Sequence, residues 1–383
     1  MFLISKRILS SVVLNIFFIT FPFYAHSQYK LEKTEEFTIN SLYPIEILDY
    51  YPKTRLYLGY LRTPDGLKVC LVNHEGKIIV QKVLVGEGPN QISTASNSMA
   101  FSKEGEIWVQ SPTEIVLFDQ KLDIKARTKY QPGTNVQIYG RMEYFEYYYS
   151  QNTSSSLIFS TIPSGTSRYL DGRNFITSHL IEFLDLKRGK LFELASVSER
   201  NNFERLDKSI GSIYFPIYKI DKSNNKLFLT TSLDDEITIY DLNSHKLELR
   251  LKIQHGEFKL LNSERISLSS LPSYKGRISL SSRNHNIFLL DGGKIVLDYI
   301  REIPFGIYQK KIAENPTYHH FQDPNYHRLI VFDGTKQVSG DIELPVNGKL
   351  MTALRGNRLL FQIVDPEVEE DFIRYATYEV VKK

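Results

Sequence analysis

Cysteine is almost absent from this chain. Its 383 residues include one, Cys70, so no intramolecular disulfide can form and stability has to come from packing. Cys70 lies in the alternating run LKVCLV, with no basic or histidine neighbour in sequence to activate a thiol, and a small buried hydrophobe is its expected role. Charge of one sign is lacking as well. The formal net charge is +3, and removing Lys6 and Arg7 with the first 27 residues leaves +1, with no basic field to hold nucleic acid. Glycine and proline are scattered, so no low-complexity linker divides the chain. Beyond the N-terminus there is no long hydrophobic run and no sustained helical periodicity. No G-x-S-x-G, H-E-x-x-H or Cys–His pair occurs, which leaves no local signature of a catalytic site.

What is present starts with residues 1–27. Lys6 and Arg7 precede an apolar run from Ile8 to Phe23, Pro22 breaks it, and Ala25-His26-Ser27 supplies small residues before a cleavage point. This is the three-part grammar of a secretory signal. The run is shorter than the roughly 20 residues that span a bilayer comfortably. The expectation is an exported protein of the periplasm or cell exterior, soluble after cleavage and not integral to a membrane. Residues 28–383 then form one domain.

Aromatics make up 13% of the chain, nearly all Tyr and Phe, which suits strands. A phrase recurs: strand, polar turn, strand ending in an acid, short turn, strand. It reads GEIWVQSPTEIVLFDQKLDIKART at 105–128, LIEFLDLKRGKLFELASV at 180–197, NKLFLTTSLDDEITIYDLNSHKLELRLKI at 225–253 and RLIVFDGTKQVSGDIELP at 328–345. Side chains alternate with period two, and Asp, Asn, Gly, Ser and Lys fill the turns. Repeats of this size built from short strands predict an all-β fold, a β-propeller. Six blades with some long loops fit the length, and seven short ones also fit. A pair of β-sandwiches accounts poorly for the repetition. The early strand EEFTINSL is placed to complete the last blade and close the ring.

The run GEGPNQISTASNSMAFSKEGEIWVQSPTEIVLFDQKLDI, and the C-terminal portion from HHFQDPNYHRLIVFDGTKQVSGDIELP to RYATYEVVKK, resemble exported six-bladed propellers of the NHL-like and TolB-like kind. Within these they are similar to an uncharacterised subgroup from bacteria with outer membranes. The resemblance is clearest over 83–130 and 318–383. It implies a fold and an envelope address, and no particular activity.

Three stretches hold candidate site residues. Gly86-Glu87-Gly88-Pro89-Asn90-Gln91 lacks the third glycine of a dinucleotide loop, the Lys-Ser/Thr of a P-loop and a following helix. Pro89 also removes a donor that a phosphate nest would need. Gly86, Gly88 and Pro89 are therefore expected to form a structural corner between blades, with Asn90 and Gln91 as candidate ligand contacts. In YHHFQDPNYH, three His and one Asp fall within nine residues, but the spacing matches no zinc pattern. The expectation is a polar hairpin turning at Asp323-Pro324-Asn325, with His319 and His320 as candidate ligand contacts and no metal. In RMEYFEYYYS, alternation on one strand would place Tyr144, Glu146 and Tyr148 on one face, making Tyr144 and Tyr148 candidate stacking platforms. No catalytic residue and no cofactor is indicated. The function expected is a ligand-binding or protein-interaction module for an envelope protein, peptide or glycan. The alternative is a propeller hydrolase or lyase acting on carbohydrate or peptide material.

Overall fold

A computed structural model describes residues 29–93, 96–131, 142–150, 156–162, 179–201, 216–259, 280–365 and 370–383. The strands fall into six antiparallel sheets, each a meander of consecutive strands. The first blade runs β2 (Ile45–Tyr51), β3 (Leu56–Thr63), β4 (Gly66–Val72) and β5 (Ile78–Val83). The second runs β6 (Ser98–Phe101), β7 (Ile107–Gln110), β8 (Glu114–Phe118) and β9 (Ile124–Lys129), with the short β10 (Glu143–Tyr144) added parallel to β6. The third comprises β11 (Tyr147–Tyr149), β12 (Leu157–Ile162), β13 (His179–Asp185) and β14 (Lys190–Ser196). The fourth comprises β15 (Pro216–Asp221), β16 (Lys226–Thr231), β17 (Glu236–Asp241) and β18 (Lys246–Lys252). In the fifth, β19 (Arg283–Leu289), β20 (Ile295–Ile300) and β21 (His327–Asp333) are edged by the short β22 (Lys336–Gln337) and β23 (Ile342–Glu343). The sixth holds β24 (Gly348–Leu354), β25 (Arg358–Ile363) and β26 (Ile373–Lys382), and β1 (Tyr29–Ile39) supplies its outer strand.

First strands of neighbouring blades meet, β24 with β2, β2 with β6, β15 with β19 and β19 with β24, which sets them about the axis. The blade count is six. The apolar alternation of the sequence is doubled in the middle strands, because each blade packs both faces against a neighbour. All six residues of β20 are buried, as are the first five of β17. An apolar cluster fills each of the six junctions between blades. Phe101 and Val109 meet Leu58 and Tyr60 between the first and second, and Phe361 meets Phe288 and Val296 between the fifth and sixth. Full burial of one such side chain is worth roughly 1.5–3 kcal/mol, which replaces the missing disulfides. Cys70 lies fully buried between the sixth and first blades, and burial pushes its thiol up to about 12.

The recurring acids close turns. Asp119, Asp185, Asp221 and Asp241 each accept backbone N–H groups two to four residues ahead, the side-chain mimicry of a turn that favours Asp there. The ring closes through β1, which pairs with β26 from Tyr29↔Lys382 to Ile39↔Ile373. Gly76, in the turn between β4 and β5, sits against this strand with φ +83°, and a Cβ there would lie 1.9 Å from the Thr38 carbonyl oxygen.

Two sequence expectations give way here. A ten-residue helix, α1 (Phe305–Glu314), does form, inserted between β20 and β21. Pro304 precedes it, a Lys310–Glu314 pair spans its last turn, and it ends at Asn315, before Pro316. None of its residues is fully buried, and only Tyr308, Lys311 and Ile312 are half-buried, so its inner face is too narrow to be read from sequence. The YHHFQDPNYH segment is no hairpin. It forms two 3₁₀ turns, His320–Gln322 and Pro324–Tyr326, the second capped by the Asp323 carboxylate accepting from the Asn325 N–H.

Candidate functional site

Four stretches far apart in sequence converge on the axis. In β2 the register slips between Ile47 and Asp49, leaving Leu48 as an extra residue, and such a bulge re-aims the next side chain. Asp49 reaches the second blade, where Oδ2 accepts the Phe101 N–H at 2.7 Å while Oδ1 accepts the Tyr50 N–H at 2.8 Å. β10 lies along the axial edge of β6 and carries Tyr144 there. Glu146 follows, accepting the Ile220 N–H at 3.2 Å and pairing with Lys219 at 3.1 Å. From the fourth blade, Lys219 of β15 places Nζ 3.5 Å from the centre of the Tyr144 ring. Lys222, in the turn after β15, donates to the Tyr144 hydroxyl at 2.6 Å and lies 3.7 Å above the Tyr147 ring.

Asp49, Tyr144, Lys219 and Lys222 are half-buried, and Glu146 and Tyr147 are buried. Burial lowers Lys222 to about 8, against the pull of Asp49 and Glu146, and Lys219 lowers it further. Burial also raises Asp49, although Lys222 and the Phe101 and Tyr50 N–H groups oppose it. Each charge is disfavoured by desolvation and supported by the other. The arrangement offers an amine, a phenol and a carboxylate to a small polar ligand.

Of this cluster the sequence singled out Tyr144 as a candidate, and not Asp49, Lys219 or Lys222. They carry no local signal, because a charged residue in a strand or in the turn IDKSNNK reads as solvated surface. The single aromatic strand expected over 143–149 is two strands. The chain pairs with β6 of the second blade as β10 up to Tyr144 and joins the third blade at Tyr147. That crossing resets the faces. Tyr144 and Glu146 stay at the axis, while Tyr148 turns into the core between the third and fourth blades, 6.0 Å from Phe183.

The corner at 86–91 lies in the connection from β5 to β6. Its donors are used within it: the Gly86 N–H bonds the Ile92 carbonyl at 2.9 Å, and the Gly88 N–H bonds Gln91 Oε1 at 2.7 Å. A Cβ on Gly86 would lie 2.3 Å from that same Oε1, so the glycines make room for the Gln91 amide. Asn90 donates to Asp123 at 3.1 Å, and the Gln91 carbonyl accepts from Arg127 of β9 at 2.6 Å. Asn90 and Gln91 thus face the outer strand of the next blade, away from the axial cluster. Pro89 stands in the bend between them and the glycines.

His319 and His320 lie beside the fifth blade, their rings parallel at 5.5 Å. Among the described residues no three His, Cys, Asp or Glu are grouped so as to hold a metal ion. His327 is buried with Nδ1 2.8 Å from Asp298 and Nε2 3.0 Å from the Phe321 carbonyl. Both partners are acceptors, which favours the charged ring with both nitrogens donating. Burial opposes the charge, but Asp298 and the Phe321 carbonyl outweigh it and raise the pKa above 6.5. A raised folded value adds stability below the unfolded pKa, and that stability is lost as pH rises through the folded one. The urea-midpoint difference between the natural chain and His327→Gln is therefore expected to be largest near pH 5.5 and to shrink towards pH 9. A difference that grows with pH would refute the imidazolium.

Six meandering sheets closed by an N-terminal strand make this a six-bladed β-propeller, with a polar cluster on its axis. No protein-family model matches the sequence, and neither does any curated protein. Among solved structures, a member of the DUF4221 family from Bacteroides vulgatus is similar with a TM-score of 0.63 at 10% identity, over 94% of this chain and 100% of that one. A Bacteroides fragilis protein named as a candidate for export is similar with a TM-score of 0.53 at 10% identity, over 94% of this chain and 96% of that one. At these identities the likeness is one of fold. Among the described residues no helix is long and apolar enough to cross a membrane.

Proposed function

We propose that this protein is an exported propeller that binds a small polar ligand, a glycan or peptide fragment of the cell envelope, at the axial cluster. The observation that carries this is the convergence of Asp49, Tyr144, Glu146, Lys219 and Lys222 from separate blades onto one place. A few convergent polar groups are what fixes a ligand's orientation in a binding site. Export to the periplasm or cell exterior is supported by the signal grammar of residues 1–27 and by the name of the Bacteroides fragilis neighbour. The resemblance to NHL-like and TolB-like exported propellers belongs to the same reading.

The alternative, a hydrolase or lyase, draws on the presence of two carboxylates in the cluster. Both are held by backbone N–H groups, and Glu146 also by Lys219. That bracing suits orientation of a bound molecule better than proton transfer. Residues 28–383, screened by thermal shift and calorimetry against envelope glycans and peptides, are expected to yield a ligand. Asp49→Asn should weaken its binding on the order of tenfold or more, as loss of a charge-assisted hydrogen bond does. A ligand whose affinity Asp49→Asn leaves unchanged would remove the site from the axis.

A further inference from the structure

Lys222 differs from the half-buried lysines that are tied to a carboxylate. Lys68, Lys219, Lys226, Lys311 and Lys349, with side chains 22–32% exposed, each form an ion pair with a carboxylate within the hydrogen-bonding range. Lys222 has no such partner among the described residues. Its Nζ is held instead by a phenol and an aromatic face. The charged groups around it are Asp49 from β2, Glu146 from between β10 and β11, and Lys219 from β15. Asp49 and Glu146 are braced elsewhere, and Lys219 adds repulsion. Asp49 and Glu146 therefore act on the Lys222 charge only from a distance, and neither makes the direct ion pair that would lock it as an ammonium.

Lys219 and Lys222 face Asp49 and Glu146, so the cluster is near charge balance and holds no surplus charge for an ionic ligand. A neutral molecule that can also use an uncharged amine is a carbonyl compound. We propose that Lys222 is a nucleophilic amine that captures a small neutral aldehyde or ketone at the axial cluster as an imine, an inference that rests on the axial cluster being the binding site. The nitrogen lone pair adds to the carbonyl carbon. The proton the nitrogen loses passes to the carbonyl oxygen by way of the Tyr144 hydroxyl, 2.6 Å from Nζ. The carbinolamine then loses water to leave the imine. No electrons are transferred and no further reactant is consumed. Burial pushes the Tyr144 phenol well above its usual range, so it stays protonated and able to relay.

The test uses residues 28–383 with glyceraldehyde and cyanoborohydride, which reduces any imine to a stable alkyl-lysine for peptide mapping. Lys222 is expected to be alkylated on the order of tenfold or more faster than an exposed lysine such as Lys310, because more of it is the free amine. Its rate should rise with pH about a midpoint near 8. Tyr144→Phe should slow labelling at Lys222 while leaving Lys310 labelling and the urea midpoint little changed, a split that a purely structural role would not produce. Lys222→Arg should abolish the fast phase. Labelling of Lys222 at the Lys310 rate would overturn the proposal. If a ligand from the envelope screen still binds in that case, and loses affinity in Asp49→Asn, the imine alone has failed. If no such ligand is found either, the axial binding site has failed with it.

Discussion

Replacing Arg200 with alanine is expected to cost about 3–5 kcal/mol of folding stability, the range for breaking a buried ion pair from one side. Arg200 follows the 3₁₀ turn Val197–Glu199 at the end of the third blade and is 3% exposed. Its Nε donates to Asp234 at 2.8 Å, and its Nη1 donates to Thr238 at 2.6 Å. Nη2 lies 2.6 Å from Asp234 and 3.4 Å from Glu236. Asp234 and Glu236, on the fourth blade, are 0% and 1% exposed. The two acids differ in what remains once Arg200 is gone. Glu236 keeps Arg250 at 2.8 Å and the Asn201 N–H at 3.2 Å. Asp234 loses its guanidinium partner inside the protein.

The double variant Arg200→Met, Asp234→Leu should therefore be more stable than Arg200→Ala, because it removes the buried carboxylate together with its guanidinium. Urea unfolding of the two single variants and the double gives the coupling directly. Against a typical total of about 5–15 kcal/mol, the single arginine variant would sit close to unfolding at 37 °C. An Arg200→Ala loss below roughly 1 kcal/mol would mean that the network contributes no more than a surface pair.

The second large effect is expected from removing β1. A chain that begins at Asn40 lacks the whole outer strand of the sixth blade. It loses Phe37, stacked at 5.2 Å on both Tyr57 and Tyr375, and Ile39, which is fully buried. It also exposes β26 along its length as an unpaired edge, and such edges recruit other chains. This variant should lose its cooperative urea transition and run as oligomers on size exclusion. A synthetic peptide of residues 29–39, added in trans, should restore a monomeric species with a cooperative transition. A monomeric Asn40 variant whose stability falls by less than about 2 kcal/mol would show that closure adds little, against the area argument.

Much of the scaffold can be read from the chain because it is written locally. The turn acids of the repeated phrase, the alternation in EITIYDL and the spare strand EEFTINSL each state their structure within a few residues. The helix α1 could not be read this way. Only Tyr308, Lys311 and Ile312 are even half-buried, and a ten-residue helix with so narrow an inner face leaves little periodic trace. The YHHFQDPNYH turns escaped for a related reason. Asp323 caps the turn Pro324–Tyr326 and also takes Lys311 at 2.9 Å and Tyr318 at 2.8 Å, so the turn belongs to a packed insertion and not to a hairpin.

The axial cluster lay further beyond reach. Asp49, Tyr144, Glu146, Lys219 and Lys222 become neighbours only when the first strands of separate blades come together about one axis. A period-two pattern tells which face a side chain takes, but not which strand it will meet. Even the face is lost where Leu48 bulges out of β2, or where the chain changes blade between Tyr144 and Tyr147. The sequence by itself determined the strand-rich repeats, their turns and the strand that closes the ring, because backbone propensity and alternation act over a few residues. Tertiary structure alone decided that six blades form, that Tyr148 packs inward while Tyr144 stays at the axis, and that Lys222 stands beside a phenol without a carboxylate partner. Those outcomes depend on closure, which brings together residues that no local rule connects.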